Sequence, residues 1–172
     1  MQIRVVKMIL LQIKNTKEFM SKLLASEVFD AFYMESAKIT TANTYTIDGT
    51  IHKEFFGKEG ESEAPTSPLS SWADMKSVCY NIIKGKHTPL GFTFILCASD
   101  AKKEELLVEA DSPEALNAVS SLVFIIRFQD GAVTITTGTA LSGFTLDKSY
   151  EKIWDEYVKA FLDSNSISYE EA

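Results

Sequence analysis

The residues best suited to chemistry in this chain of 172 residues lie together at positions 84–88, Lys-Gly-Lys-His-Thr. Three potential cations stand in four positions around a glycine, although 17 basic and 24 acidic side chains give the chain a net charge of −7. Lysine ammonium groups and the N–H groups of a tight turn can hold a phosphate or carboxylate. The spacing therefore predicts an anion-binding site made of Lys84, Gly85, Lys86, His87 and Thr88. In the alternative interpretation, Lys84 and Lys86 only complement the negative end of a preceding helix.

The two histidines and two cysteines are the other candidates for chemistry. Cys79, Cys97, His52 and His87 never occur at the short spacing of zinc ligands, so we predict no metal site. The chain also lacks glycine-rich nucleotide-binding loops and the Gly-x-Ser-x-Gly elbow of hydrolases. A small hydrolase or transferase using His52 or His87 stays open, and it needs a pocket where one of them meets Ser, Cys or Asp. We assign no catalytic residue and no cofactor.

Charge and hydropathy restrict the partners. Phosphate binding depends on Lys and Arg, so an acidic chain of this kind can hold nucleic acid only through a local basic patch. No run of about 20 apolar residues exists, which excludes a membrane-spanning helix. Lys7 and Lys14 interrupt the apolar N-terminus, which we interpret as a strand covered on both faces, Val5 to Ile13. Two free, buried thiols at Cys79 and Cys97 in a reducing cytoplasm are expected, although sequence alone leaves a disulfide open.

The strongest structural signal is the stretch Leu122 to Gly138. Asp130-Gly131 lies between two β-rich runs and suits a two-residue type I′ turn, in which both residues need φ > 0. Such a turn pairs Phe128 with Val133 and Arg127 with Thr134. One face is then apolar and the other is polar, and a slip of one residue would put Arg127 into the core. The outward set is Gln129, Arg127, Thr134 and Thr136; the inward set is Phe124, Ile126, Phe128, Val133 and Ile135.

Capping residues and apolar stripes predict the helices. The expected helix starts are Asn15, Ser71, Asp100, Ser112-Pro113 and Asp147, with a further helical turn at 26–32. Trp72 and Trp154 lie on apolar stripes, so we interpret both as core aromatics rather than as platforms for nucleic-acid bases. Thr and Ile dominate residues 39–47 around Ala42-Asn43, which predicts a second hairpin. The stretch 91–98 predicts a further strand.

The order of these elements predicts an α+β fold with a largely antiparallel sheet and a C-terminal amphipathic helix. Strand, helix, strand, turn and strand recur at Val5 to Ile47 and at Gly91 to Thr137. This recurrence indicates two β-α-β-β-like halves, which resemble the half-units of DNA sliding clamps, or else it arises by chance. We expect one domain over residues 1–172, a mobile surface loop at 57–71 because little in it can be buried, and a frayed tail at 163–172.

Several segments together indicate a family. They are Phe-Met-Ser-Lys-Leu-Leu at 19–24, Ile-Thr-Thr at 39–41, Thr-Ile-Asp-Gly at 46–49, Ile-Lys-Gly-Lys-His-Thr-Pro-Leu at 83–90, Phe-Thr-Leu-Asp-Lys at 144–148 and Trp-Asp-Glu at 154–156. With them the chain resembles an uncharacterised family, a domain of unknown function found mainly in anaerobic Gram-positive bacteria. The resemblance implies one full-length cytoplasmic domain, and it supplies no reaction, ligand or catalytic residue.

The function that the sequence favours is a non-enzymatic binding or assembly role in the cytoplasm. This preference depends on the missing catalytic signatures and on the strong apolar framework. Two alternatives stay open: a nucleic-acid- or nucleotide-associated module with an anion site at Lys84 to His87, and the histidine-based enzyme. The partner is unknown, and both a protein partner and a second copy of the chain are left open.

Overall fold

The computed structural model describes residues 5–60, 63–109 and 113–172. It confirms the predicted α+β class. The strands are β1 (Val5–Ile13), β2 (Tyr33–Thr40), β3 (Thr44–Asp48), β4 (Ser70–Ser71), β5 (Gly91–Cys97), β6 (Val119–Gln129), β7 (Ala132–Leu141) and β8 (Tyr169–Glu171). The helices are α1 (Thr16–Ala25), α2 (Trp72–Ile83), α3 (Asp100–Glu109), α4 (Pro113–Ala118) and α5 (Ser149–Ser164). The strands form one sheet in the order β3-β2-β5-β6-β7-β1-β8, with β4 beside β2, and every pairing is antiparallel.

The central hairpin of β6 and β7 has the predicted register. Phe128 pairs with Val133, and Arg127 pairs with Thr134. Asp130 and Gly131 both have positive φ, 52° and 78°, as a type I′ turn requires. The inward set is buried and Arg127 is exposed, so this part of the prediction is confirmed.

The helix caps agree with the sequence in part. The side chains of Asn15 and Ser71 accept hydrogen bonds from the N–H groups of Glu18 and Asp74, as predicted. Ser99 rather than Asp100 caps α3, because its Oγ accepts from the N–H of Lys102. The helix expected from Asp147 begins at Ser149, and the carboxylate of Asp147 accepts from the N–H of Ser149 instead.

Two other predicted elements differ from the structure. Residues 26–32 form turns instead of a helix, although Phe29 and Phe32 within them are buried. In place of a frayed tail at 163–172, β8 pairs with β1 and Ile167 is buried, since a short amphipathic segment can cover an otherwise open sheet edge. In the loop predicted at 57–71, the described residues are irregular except for β4, and the mobility of this loop stays a prediction.

The two recurring series of elements, β1 to β3 and β5 to β7, pair differently in the sheet. In the second series β5 lies directly beside β6, whereas in the first series β5, β6 and β7 separate β1 from β2. The recurrence is therefore one of element order, and the two series do not occupy equivalent places in the sheet.

The helices cover one face of the sheet. Trp72 on α2 donates from its indole N–H to the carbonyl of Leu23 at 2.9 Å, and Trp154 on α5 donates to the carbonyl of Val123 at 2.7 Å. Both tryptophans are fully buried, as predicted. Helix α1 lies between α2 and α5. Its Leu23 accepts the hydrogen bond from Trp72 of α2, and its Lys22 donates to the carbonyl of Asn165, directly after α5, at 2.7 Å. Helix α2 is thus the outermost helix at the β2–β3 end.

Within the described ranges, no helix covers the middle of the opposite face. Leu10 keeps 41% of its surface exposed in β1, and Gln12 is exposed. The expectation that β1 is covered on both faces is therefore wrong, because the described helices pack only on the side where Leu11 and Ile13 point. The middle of this side of the sheet is therefore open to solvent.

Candidate functional site

The predicted anion site forms an exposed loop between α2 and β5. The side chains of Lys84, Lys86, His87 and Thr88 are all exposed, and Gly85 has a φ of +154°, which other residues rarely adopt. The ammonium of Lys84 lies 6.0 Å from the centre of the Tyr80 ring, and its backbone N–H donates to the carbonyl of Tyr80 at the end of α2. The structure thus keeps these residues on the surface, and anion binding there stays a prediction.

The two histidines lie in surface segments. The His52 side chain is 70% exposed, and its Nδ1 lies 3.4 Å from the carboxylate of Glu54, which is 80% exposed. His87 is exposed in the loop after α2. Five of the concavities on the described residues are lined by neither histidine, and neither histidine meets Ser, Cys or Asp there. These five concavities therefore give the histidine-based enzyme no pocket, and that alternative stays a prediction.

The two cysteines are free and buried. Burial raises the pKa of Cys79 to about 12, and burial together with the negative charges of Glu35 and Asp100 raises the pKa of Cys97 to about 12. Neither thiol is ionised at neutral pH, which makes both poor nucleophiles and poor metal ligands. Within the described ranges, no group of three or more His, Cys, Asp or Glu side chains can hold a metal ion.

The structure instead presents a site on the uncovered side of the sheet, where two rows of side chains cross the strands. The first row is basic and polar; it consists of Thr46, Lys38, Thr93, Arg127, Thr134 and Gln12. The second row is largely apolar; it consists of Ser36, Ile95, Ile125, Thr136 and Leu10. We call these two rows the open face. The rows form because alternate residues of a strand point to the same side of the sheet.

Two concavities on the open face meet at its centre. The larger has a volume of about 610 Å³ and is lined by residues of the apolar row together with Thr93 and Arg127. The smaller, of about 280 Å³, also contains Thr93 and Arg127, and it extends to Lys38 and Leu90. The Leu90 side chain is 73% exposed, and its N–H donates to the carbonyl of Thr40 at 2.8 Å. Arg127 is therefore the charged group that both concavities share.

The cations of the open face lack an anionic partner. Among the described residues, no carboxylate lies within 4.0 Å of the Lys38 ammonium or the Arg127 guanidinium. Carboxylates on this side of the sheet lie at its margins. Asp48 in β3 accepts from the N–H of Thr50, and Glu170 in β8 pairs with Lys14 at 3.5 Å. The centre of the open face therefore carries unneutralised positive charge in an acidic protein.

One further carboxylate, Glu35, lies at the end of the open face. A register irregularity between Met34 and Ser36 places it where Ser121 Oγ donates to it at 3.1 Å. Burial raises the pKa of the Glu35 carboxyl, and the hydrogen bond from Ser121 partly opposes that shift. Sequence reasoning missed this residue. The signal was the apolar series Met34, Ala37 and Ile39, which alternates only if one extra residue is inserted after Met34.

The comparisons with known proteins place the chain in a family. The family model described as "Family of unknown function (DUF5721)" matches residues 22–170. The chain belongs to this family. The predicted resemblance to an uncharacterised family is thereby confirmed. No curated protein and no solved structure matches the chain.

In the part of the chain that the structure describes, every helix is too short or too polar to cross a membrane.

Proposed function

We propose that this DUF5721 protein is a non-enzymatic binding or assembly protein, and that its open face docks a partner protein through an acidic side chain set among apolar ones. The observation that supports this most strongly is the position of Arg127 between two concavities, with no ion-pair partner in the part of the chain that the structure describes. A guanidinium binds a carboxylate through two parallel hydrogen bonds, which favours a carboxylate as its partner.

Apolar contacts complete the recognition. Ile95, Ile125 and Leu10 lie one row away from Arg127, and Leu90 lies at the other side of it. Partial burial of such a patch by a partner releases water from apolar surface, and the ion pair then forms in a drier environment where it is stronger. A partner that supplies both an acidic and an apolar side chain uses the site fully.

A protein partner fits the open face better than nucleic acid does. Single-stranded nucleic acid binds sheet faces through aromatic side chains on which the bases stack. The two rows contain Ile, Leu, Thr and Ser but no aromatic residue. Two central cations also neutralise few phosphates. The loop Lys84 to Thr88 could add cations near Leu90, so binding of an oligonucleotide that requires Lys84 and Lys86 would favour that second function instead.

A non-enzymatic role agrees with the position of the titratable groups. His52 and His87 lie outside the five concavities described above, both thiols are protonated at neutral pH, and the carboxylate of Glu35 is engaged by Ser121. We also place the protein in the bacterial cytoplasm, because two buried unpaired cysteines are typical of a reducing compartment.

The proposal is tested by selecting linear peptides from a phage-displayed random library on the wild-type protein, with depletion on the variant Arg127→Glu. We expect enriched peptides to carry Asp or Glu beside Leu, Ile or Phe, and to lose binding to Arg127→Glu. The matched control is Lys17→Glu, the same change of charge at an exposed residue of α1, which lies on the covered side of the sheet. It should keep full binding.

Three results would contradict the proposal: no peptide enriched on the wild type, enriched peptides without acidic residues, or equal binding to Arg127→Glu and the wild type.

A further inference from the structure

The edge of the sheet at β3 is free over the whole strand. Among the described residues, β3 has β2 as its only neighbouring strand, so one side of its backbone has no strand partner. Monomeric proteins usually protect such an edge with lysine, proline, a bulge or a very short strand. Strand β3 is five residues long, reads Thr-Tyr-Thr-Ile-Asp, and pairs with β2 without any irregularity.

The opposite edge of the sheet is protected. There β8 is three residues long and contains Glu170 and Glu171. These glutamates pair with Lys14 at 3.5 Å and with Lys159 at 2.8 Å. A short, charged strand is a poor template for another chain.

Strand β8 covers only Leu11 to Ile13, and the remaining outer edge of β1 contains Lys7 and a register irregularity between Lys7 and Leu10. Strand β3 has neither of these protecting features, so it is better suited to extending the sheet.

Apolar side chains flank the free edge on the helix side. Tyr45 lies opposite the buried Ile39, so it points toward the helices, yet 42% of its surface is exposed. Val78 on α2 is also 42% exposed. Two positions before it, Lys76 points toward Asp30, which its ammonium contacts at 2.8 Å. Residues two positions apart point in nearly opposite directions on a helix. Val78 is therefore on the flank of the outermost helix that faces away from Asp30.

We infer that β3 pairs antiparallel with β3 of a second copy of this chain, about a two-fold axis at Thr46, to form a dimer with one continuous sheet. This register pairs Tyr45 with Ile47 and Thr44 with Asp48, and it places Thr46 opposite itself. Aromatic residues opposite β-branched ones stabilise strand pairs, and no like charges meet. Since a two-fold interface uses the same patch on both copies, this pairing closes at two copies.

The inference is independent of the proposed function, because the dimer uses the backbone edge of β3, whereas docking is centred on Arg127. Thr46 is the one residue of the open face that also lies at this edge. The two open faces lie on the same side of such a continuous sheet, so the dimer would present two docking sites side by side.

Analytical ultracentrifugation over a concentration series tests the dimer. We expect a reversible monomer–dimer equilibrium in the micromolar range for the wild type, since small interfaces associate weakly. Thr46→Glu should abolish the dimer because it places two glutamates opposite each other, while its own Lys38 is a favourable neighbour within the chain. The matched variant Thr44→Lys, on the same strand, should keep or strengthen the dimer because each new lysine faces Asp48 of the other copy.

A cross-linking experiment tests the register separately. In the wild-type background, a short thiol-reactive cross-linker should join Thr46→Cys into a covalent dimer, because directly opposite residues have their Cβ atoms about 5 Å apart. Thr44→Cys, which faces Asp48, should not. A wild type that sediments as a monomer up to millimolar concentration would overturn the inference. So would a Thr46→Glu variant that dimerises like the wild type, or equal cross-linking of the two cysteine variants.

Discussion

The two faces of the sheet are built from the same strands but have opposite surroundings. On the covered face, Phe94 of β5 is fully buried and packs 5.1 Å from the Trp72 ring and 4.6 Å from the Phe92 ring, measured between ring centres. On the open face, its chain neighbours Thr93 and Ile95 are only partly buried and line the larger concavity. One face is closed by the helices of the chain itself. The other leaves isoleucines partly exposed around an arginine that has no ion-pair partner among the described residues.

This contrast separates stability from binding. Burial in a packed interior contributes most of the stability of a fold, and a partly exposed side chain contributes much less. A face that keeps apolar residues and unpaired cations without contributing much stability is a good candidate for recognition.

The largest expected effect is the loss of an aromatic residue on the covered face. Phe94→Ala should lower the free energy of unfolding by about 3–5 kcal/mol, because it leaves a cavity beneath Trp72. Urea denaturation measures this loss. The matched change Ile95→Ala, one residue away on the open face, should cost only about 1 kcal/mol, because Ile95 is partly exposed and lies outside the packed interior. Equal losses at the two positions would show that the faces do not differ in this way.

A smaller effect is expected at the turn that sets the register of both faces. Gly131 has a φ of +78°, and an L-residue in that region costs about 1–2 kcal/mol. No atom lies within 4 Å of an added Cβ, so Gly131→Ala should show this backbone cost alone. The change in the urea midpoint gives the value. An unchanged midpoint would argue against the type I′ turn.

The pH dependence at Glu35 should be detectable but modest. Its folded-state pKa is raised above the ordinary value of 4.5 because burial disfavours the charged form. Between a pH of about 4.5 and the folded-state pKa, the Glu35 carboxyl is therefore protonated more often in the folded state than in the unfolded state. Its ionisation lowers the free energy of unfolding as pH rises through this range.

Glu35→Gln should remove this dependence. Its amide oxygen can still accept from Ser121, so we expect a midpoint equal to that of the wild type at low pH and at least as high at pH 7. Thermal melts at a series of pH values provide the measurement. A variant that is clearly less stable than the wild type at pH 7 would mean that the charged carboxylate stabilises the fold.

The smallest effect on stability is expected at the centre of the open face. Arg127→Gln should change the free energy of unfolding by less than about 0.5 kcal/mol, since the side chain is exposed and has no described ion-pair partner. Urea denaturation checks this value. A loss of several kcal/mol would assign Arg127 to the fold rather than to binding.

Local signals in the sequence predicted much of this arrangement. The Asp130-Gly131 turn fixed which residues of the hairpin face outward, and Arg127 was among them. Alternation along a strand does not reveal which face the helices will cover, so the exposed position of Leu10 could not be predicted from a continuous apolar run. The strand β8 could not be predicted from the sequence either. Its three residues form a strand because β1 lies near the edge of the sheet and pairs with them.

The candidate site was harder to predict than the fold. The residues of the open face come from β1, β2, β5, β6 and β7, and only their pairing in space assembles the two rows. The sequence directed attention to Lys84 and Lys86 because they are close together along the chain. Lys38 and Arg127 are far apart in sequence, and they share a row only through Thr93 of β5.

The most direct test of the docking role is a charge-swap cycle measured by isothermal titration calorimetry. It combines wild-type protein and Arg127→Glu with a selected acidic peptide and with the same peptide carrying lysine at its acidic position. The account predicts that each single change weakens binding about tenfold or more, and that the double change restores a large part of the loss. Independent, additive losses would contradict the claim that Arg127 receives the acidic group of a partner.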